Sequence, residues 1–130
     1  MQYLLDTDWI AGYLRATPSF VQAIHDRRAA GIAMSVVTLA ELFSGVSQSS
    51  QPGKAEDQLR RFARGCQILG IDEHIARSWG QEDARLTQAG QKIADVDLFI
   101  AATALAYGLT LCTQNRKHCE RIGGLKIESV

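Results

Sequence analysis

The run Ile93-Ala94-Asp95-Val96-Asp97-Leu98-Phe99-Ile100-Ala101-Ala102-Thr103-Ala104-Leu105-Ala106 decides the fold. From Leu98 to Ala106 it is apolar nearly all round, which marks a helix buried on every side rather than one lying on a surface. Gly108 stands where such a helix takes its C-terminal cap. The short apolar run Thr110-Leu111-Cys112 follows directly and reads as a strand. The same alternation extends through the chain. Tyr3-Leu4-Leu5, Ile32-Ala33-Met34, Gln67-Ile68-Leu69 and Lys126-Ile127 also read as strands. Helical patterns lie between them near 8–16, 19–29, 38–48, 54–64, 73–89 and 96–107. In the fifth, Ile75, Trp79, Leu86 and Ala89 form one stripe, so that helix covers a core. Alternation of this kind predicts an α/β fold with a central, mainly parallel sheet and helices on both faces.

Composition bounds the function. A chain of 130 residues, 46% hydrophobic and 22% charged, reads as one globular domain spanning 1–130 that folds without disulfides or a structural metal. No apolar run nears the roughly 18 residues that span a bilayer. The start, Met1-Gln2-Tyr3-Leu4-Leu5-Asp6, meets an acid too early for a signal peptide. Cys66, Cys112 and Cys119 are odd in number and form no Cys-x-x-Cys pair, which argues against disulfides and zinc and fits a reducing cytoplasm. Cys66 and Cys112 lie in apolar runs and read as small buried hydrophobes. Fourteen basic residues balance fourteen acidic ones, which argues against binding nucleic acid by bulk positive charge.

The informative residues are acids beside apolar runs. Asp6 follows the first strand, at the carboxyl edge where open parallel sheets bind ligands; as a plain helix cap it would serve equally well. Glu41 begins the helix after the second strand, and Thr38-x-x-Glu41 also matches a capping box. Asp95 is the natural N-cap of the buried helix, which puts Asp97 in its first turn. Thr113 and Asn115 follow the fourth strand, as turn residues or as oxygen donors at the same edge as Asp6. Each has a structural explanation alone, but a doubly wound sheet brings all of these positions to one rim. Carboxylates so close repel one another unless a cation neutralises them. Oxygen donors select Mg²⁺ or Mn²⁺, and such a site suits phosphodiester hydrolysis.

These residues resemble the PIN-domain ribonucleases, and within them the VapC toxins of bacterial toxin–antitoxin pairs. The resemblance rests on Leu4-Leu5-Asp6-Thr7-Asp8, on Ser35-Val36-Val37-Thr38-Leu39-Ala40-Glu41-Leu42-Phe43-Ser44-Gly45 and on Ile93 to Ala102. It continues through Thr113-Gln114-Asn115 and Ile122-Gly123-Gly124-Leu125. It implies a PIN-like fold and endoribonuclease activity dependent on Mg²⁺ or Mn²⁺. Asp6, Glu41, Asp97 and Asn115 fall on the catalytic positions, the first three as metal ligands. Thr7, Asp95 and Thr113 are secondary candidates, and Asp8 reads as a capping or supporting residue. The resemblance also implies products with 5′-phosphate and 3′-hydroxyl ends, a VapB-type antitoxin partner and a homodimer of toxins.

Three other readings compete. Asp6-Thr7-Asp8 looks like the nucleophile motif of haloacid-dehalogenase-type phosphatases, with Asp6 attacking phosphate, but no suitable Lys lies between strands. A receiver domain would need an acceptor Asp at a mid-chain strand end, where only Asp72 is available. A catalytically inactive interaction module is the third. Among basic residues, Arg116 and Lys117 lie nearest the proposed site and are the candidates for RNA contacts; Arg27-Arg28 and Arg60, Arg61 and Arg64 read as solvated faces. Setting aside Asp6, Glu41, Asp95 and Asp97 leaves ten acids against fourteen bases, so a neutral chain is compatible with RNA binding that depends on divalent metal.

Overall fold

The computed structural model describes every residue, Met1–Val130. Five strands form one sheet: β1 (Tyr3–Leu5), β2 (Ile32–Ser35), β3 (Gln67–Leu69), β4 (Thr110–Cys112) and β5 (Ile127–Glu128). The helices are α1 (Thr7–Leu14), α2 (Pro18–Arg27), α3 (Val36–Ser47), α4 (Pro52–Ala63), α5 (Glu73–Gln88), α6 (Asp95–Tyr107) and α7 (Arg116–Cys119). Every strand pair is parallel, and the order across the sheet is β3-β2-β1-β4-β5. The chain steps outward from β1 to β3, then returns to the far side of β1 for β4. The order thus reverses at β1, and the carboxyl ends of β1 and β4 open a crevice of the kind that holds ligands in such sheets.

Side chains alternate across the strands, as the pleat requires. Leu5, Ile32, Met34 and Cys112 face one way and pack on Trp9, Ile10, Ile24, Leu42, Leu59 and Phe62 of α1–α4. Leu4, Ala33, Leu69 and Leu111 face the other way, onto Ile100 and Ala104 of α6. The opposite side of α6 packs Leu98 and Ala101 against Leu86 of α5, with Ile93 and Ile122. Burial between sheet and α5 explains why α6 is apolar all round. Its buried Thr103 hydroxyl donates to the Phe99 carbonyl at 2.8 Å, so no polar atom there is stranded. Gly108 ends α6 in the left-handed conformation at φ 65°, the cap expected of it.

Local details depart from the sequence reading. Helix α3 begins at Val36, because Ser35 ends β2 and at once caps the helix, accepting from the Val37 amide at 3.1 Å. Thr38 therefore lies within the helix, and the Thr38–Glu41 capping box does not form. The cap residue of α6 is Ala94, so Asp95 is the first helical residue and not the N-cap. The short helix α7 has no counterpart among the helical patterns read in the sequence. Cys66 is only half-buried, unlike Cys112. Arg27 and Arg28 are only partly solvated, and both are engaged. The Arg27 guanidinium lies 5.0 Å from the Trp9 ring centre and 5.4 Å from that of Tyr3, and pairs with Glu128 at 2.6 Å. Arg28 lies over Tyr13 and Phe62. No helix is long and apolar enough to cross a membrane.

Candidate active site

Asp6 sits at the carboxyl end of β1, 8% exposed. It both caps α1 and faces the crevice. Its Oδ1 accepts from the Thr7 amide at 2.7 Å, and its Oδ2 accepts from the Thr113 hydroxyl at 2.6 Å. Thr113 is fully buried directly after β4, so the Asp6–Thr113 bond ties together the two strand ends that flank the switch point.

Three consecutive residues after β4 each donate to a different acid. Thr113 donates to Asp6, the Gln114 amide donates to Asp8 Oδ2 at 3.0 Å, and the Asn115 side-chain amide donates to Asp97 Oδ2 at 3.1 Å. The Asn115 backbone amide donates to Thr113 Oγ1 at 3.0 Å, closing a tight turn. Thr113 and Asn115 thus fill the turn role and the site role together. The turn is fastened from behind. Trp9 Nε1 and the Val130 amide both donate to Gln114 Oε1, at 3.0 and 2.8 Å, and the Ser129 hydroxyl donates to the Thr113 carbonyl at 2.7 Å.

Glu41 lies on the second turn of α3 and is exposed. The Thr7 hydroxyl donates to its Oε1 at 2.5 Å and also hydrogen-bonds the buried Thr38 hydroxyl at 3.3 Å. Thr7 therefore links α1 to α3 and fixes the Glu41 carboxylate beside Asp6. Asp95 stays apart. It is exposed, its carboxylate makes no hydrogen bond, and its carbonyl accepts from Trp79 Nε1 at 3.1 Å on the α5 side. Residues two apart on a helix point about 200° apart, so Asp95 and Asp97 cannot share a face. Asp8, read from sequence as a supporting residue, is the additional acid beside Asp6. The signal that could have found it is its place two residues after Asp6, at the same helix entrance.

The acids strain one another electrostatically. Burial pushes the Asp6 carboxyl up to about 6, and the charges of Asp8 and Glu41 push the same way against its two hydrogen bonds. Burial also raises Asp97, with Asp6 and Glu41 adding to the shift while His118 and Asn115 oppose it. Asp8 is raised by burial and by Asp97. Burial drives the Cys119 thiol to about 12, with Asp6 and Asp97 contributing, so it is no nucleophile at neutral pH. One carboxylate oxygen at the rim, Asp8 Oδ1, is buried with no hydrogen-bond partner. Oxygen donors with excess negative charge and an orphaned buried acceptor fit a hard divalent cation. No group of three or more His, Cys, Asp or Glu side chains closes on one point here.

Comparison with known proteins gives the class and then the branch. A family model described as PIN domain matches residues 3–124. The tRNA(fMet)-specific endonuclease VapC of Shigella flexneri is 29% identical over 128 residues, covering 98% of this chain and 97% of its own. Ribonuclease VapC1 of Methanocaldococcus jannaschii is 37% identical over 99 residues, covering 75% of this chain and 70% of its own. The crystal structure of VapBC2 from Rickettsia felis, bound to a promoter DNA fragment, matches with a TM-score of 0.92 at 30% identity, covering 100% of this chain and 99% of that one. DNA-bound VapBC from Salmonella typhimurium matches with a TM-score of 0.91 at 27% identity, covering 99% and 98%. The chain belongs to the PIN-domain family, in its branch of VapC ribonuclease toxins. The phosphatase and receiver alternatives fall with that finding.

Proposed function

We propose that this toxin cuts RNA phosphodiester bonds with a metal-activated water at the rim between β1 and β4. Asp6, Asp97 and Glu41 hold Mg²⁺ or Mn²⁺, and Asn115 completes the catalytic set. The observation that carries the reading is convergence: three successive donors, Thr113, Gln114 and Asn115, each engage an acid at the sheet's switch point. When bound, the cation lowers the pKa of a water and offsets charge on the phosphate oxygens.

The chain's own groups do the rest. Thr113 and the Thr7 amide fix the Asp6 carboxylate in one orientation. Asn115 does the same for Asp97 and leaves its own carbonyl free to accept from a water or the ribose. Glu41, exposed and steadied by Thr7, stands on the open side of the rim, where it orients the attacking water or binds a second ion. Lys117 is exposed and supplies a phosphate contact. Arg116 is partly occupied, at 3.3 Å from Glu120 and 3.2 Å from Ser129. Asp95 has no part in the site.

The matched structures are VapBC complexes, which supports a VapB-type antitoxin as the partner that restrains this chain. Products should carry 5′-phosphate and 3′-hydroxyl ends. The decisive experiment maps 5′ ends of cellular RNA after expression of the wild type and Asp6→Asn, alongside a purified RNase assay with and without chelator. Cleavage that needs Mg²⁺ or Mn²⁺ and vanishes in Asp6→Asn and Asp97→Asn supports the reading. Full activity in either variant overturns it, and no activity in the wild type favours an inactive interaction module.

A further inference from the structure

We propose that Gln114 is a positioning residue for RNA cleavage: its side chain, which touches no acid, sets the turn that brings Thr113 to Asp6 and Asn115 to Asp97. The inference rests on the ribonuclease reading above and adds a side chain to which that reading gives no part.

Strands β1 and β4 run side by side as far as Leu5 and Cys112, and the Asp6 amide makes the last bond between them, to the Cys112 carbonyl at 2.9 Å. Beyond that point the first chain segment has become α1. The turn from Thr113 to Asn115 keeps a backbone bond on its β5 side, from the Thr113 amide to the Glu128 carbonyl at 3.0 Å, and has no backbone–backbone bond to α1. It nevertheless places two donors, the Thr113 hydroxyl at 2.6 Å from Asp6 and the Asn115 side-chain amide at 3.1 Å from Asp97.

The Gln114 side chain closes the open side. Its Oε1 accepts from Trp9 Nε1 at 3.0 Å and from the Val130 amide at 2.8 Å, and its Nε2 donates to the Val130 carbonyl at 3.1 Å. Both acceptor sites and one donor of the amide are thereby used. Trp9 is a firm anchor. It is fully buried, its ring centre lies 6.2 Å from that of Phe20 and 5.0 Å from the Arg27 guanidinium, and Gln114 accepts from its one polar atom. A buried indole N–H requires such a partner. Trp9 also lies on the helix that Asp6 caps, so the bond ties the turn to the element that carries Asp6. A glutamine serving the turn alone would bond within it, as the Asn115 backbone amide does to Thr113. Gln114 instead reaches residues 105 and 16 positions away. Its two chain neighbours carry the donors to Asp6 and Asp97, so a shift of the Gln114 backbone displaces both together.

The test compares the full chain with Gln114→Met, which keeps the side chain's length and removes its polar atoms. Asn115 is the only asparagine in the sequence, so labelling with ¹⁵N-asparagine gives one side-chain amide pair to follow by NMR in the metal-free protein. Asp97→Ala marks where that pair falls once its acceptor is gone, and in Gln114→Met the pair should move toward the same position. In RNA cleavage, well below the melting temperature, kcat of Gln114→Met should fall about 10–100-fold, as misplacement by about an ångström implies, with KM changed by less than about threefold. Wild-type kcat and wild-type Asn115 signals, with only the melting temperature lowered, overturn the proposal and leave Gln114 a stabilising residue. A raised KM with kcat unchanged overturns it too, and makes Gln114 an RNA contact. Gln114→Ser, too short to reach Trp9 or Val130, decides by the same readings if Gln114→Met melts below the assay temperature. Full cleavage by Asp97→Ala overturns the ribonuclease reading and the proposal's part in it. Unmoved Asn115 signals in Gln114→Met, with those of Asp97→Ala displaced, overturn the role of Gln114 alone.

Discussion

The two faces of α6 carry the same chemistry to different ends. Asp95 and Asp97 stand two residues apart in one helical turn, both acidic, both at the entrance of the most deeply buried helix in the chain. Asp97 turns toward the sheet's switch point, accepts from Asn115 and feels Asp6 and Glu41. Asp95 turns toward α5 and solvent, where only its carbonyl is used, by Trp79. The difference teaches that proximity in sequence does not decide which acid serves a site. The angle at which each leaves the helix decides it, and the packing of Ile100 and Ala104 on the sheet fixes that angle.

The strongest way to break the comparison is to neutralise each acid in turn. Asp97→Asn should lower RNA cleavage by more than about 100-fold, since a metal ligand supports several kcal/mol of transition-state stabilisation. Asp95→Asn should leave the rate within about twofold. Equal losses measured in a steady-state cleavage assay would erase the distinction between the faces. The next largest effect lies in the packing that sets the angle. Ile100→Ala should cost about 2–5 kcal/mol in urea unfolding, because Ile100 is 1% exposed between α6 and the sheet.

A third test uses pH. The Asp6 carboxyl stands at about 6 in the folded chain against an ordinary 3.8, so between those values the folded chain keeps a proton that the unfolded chain has lost. Stability of the metal-free chain therefore falls as pH rises from about 4 to about 6, by roughly 2–4 kcal/mol from this group, with the full penalty present above that. Asp6→Asn cannot titrate and should show a smaller decline, the remainder coming from the raised Asp8 and Asp97, whereas Asp95→Asn should track the wild type. Unfolding in chelator between pH 4 and 7.5 checks both. The smallest effect belongs to the outer face. Trp79→Phe removes the donor to the Asp95 carbonyl and should cost about 1 kcal/mol in thermal unfolding, with cleavage unchanged.

Much of this arrangement can be read in the chain, because its signals are local. The three-residue strands β1, β3 and β4 coincide with the apolar runs that predict them, and each of β1 and β4 is followed at once by a polar site residue. Ser35 does not look like a cap in the sequence because it ends a strand and starts a helix with no intervening loop, while Thr38-x-x-Glu41 imitates the usual motif. Asp8 reads in the chain only as a residue of its own helix start, because its partner, Gln114, is 106 residues away. The Arg27–Glu128 pair, 101 residues apart, is invisible for the same reason. Periodicity reports what a residue does to its own helix or strand. It is silent on which distant group fills the remaining valence.

The Asp6–Thr113 bond spans 107 residues and joins the end of β1 to the end of β4, its neighbour in the sheet. At about 5–20 residues per second, roughly 5–20 s separate the making of these two side chains on a ribosome. Throughout that interval the growing chain carries Asp6 without Thr113, Gln114 or Asn115, and β1 without its second neighbour. A nascent toxin of this topology has no assembled rim. Its hazard to the RNA around it, the transcript being translated included, begins only once the residues from Thr113 to Asn115 have been made and have joined β1.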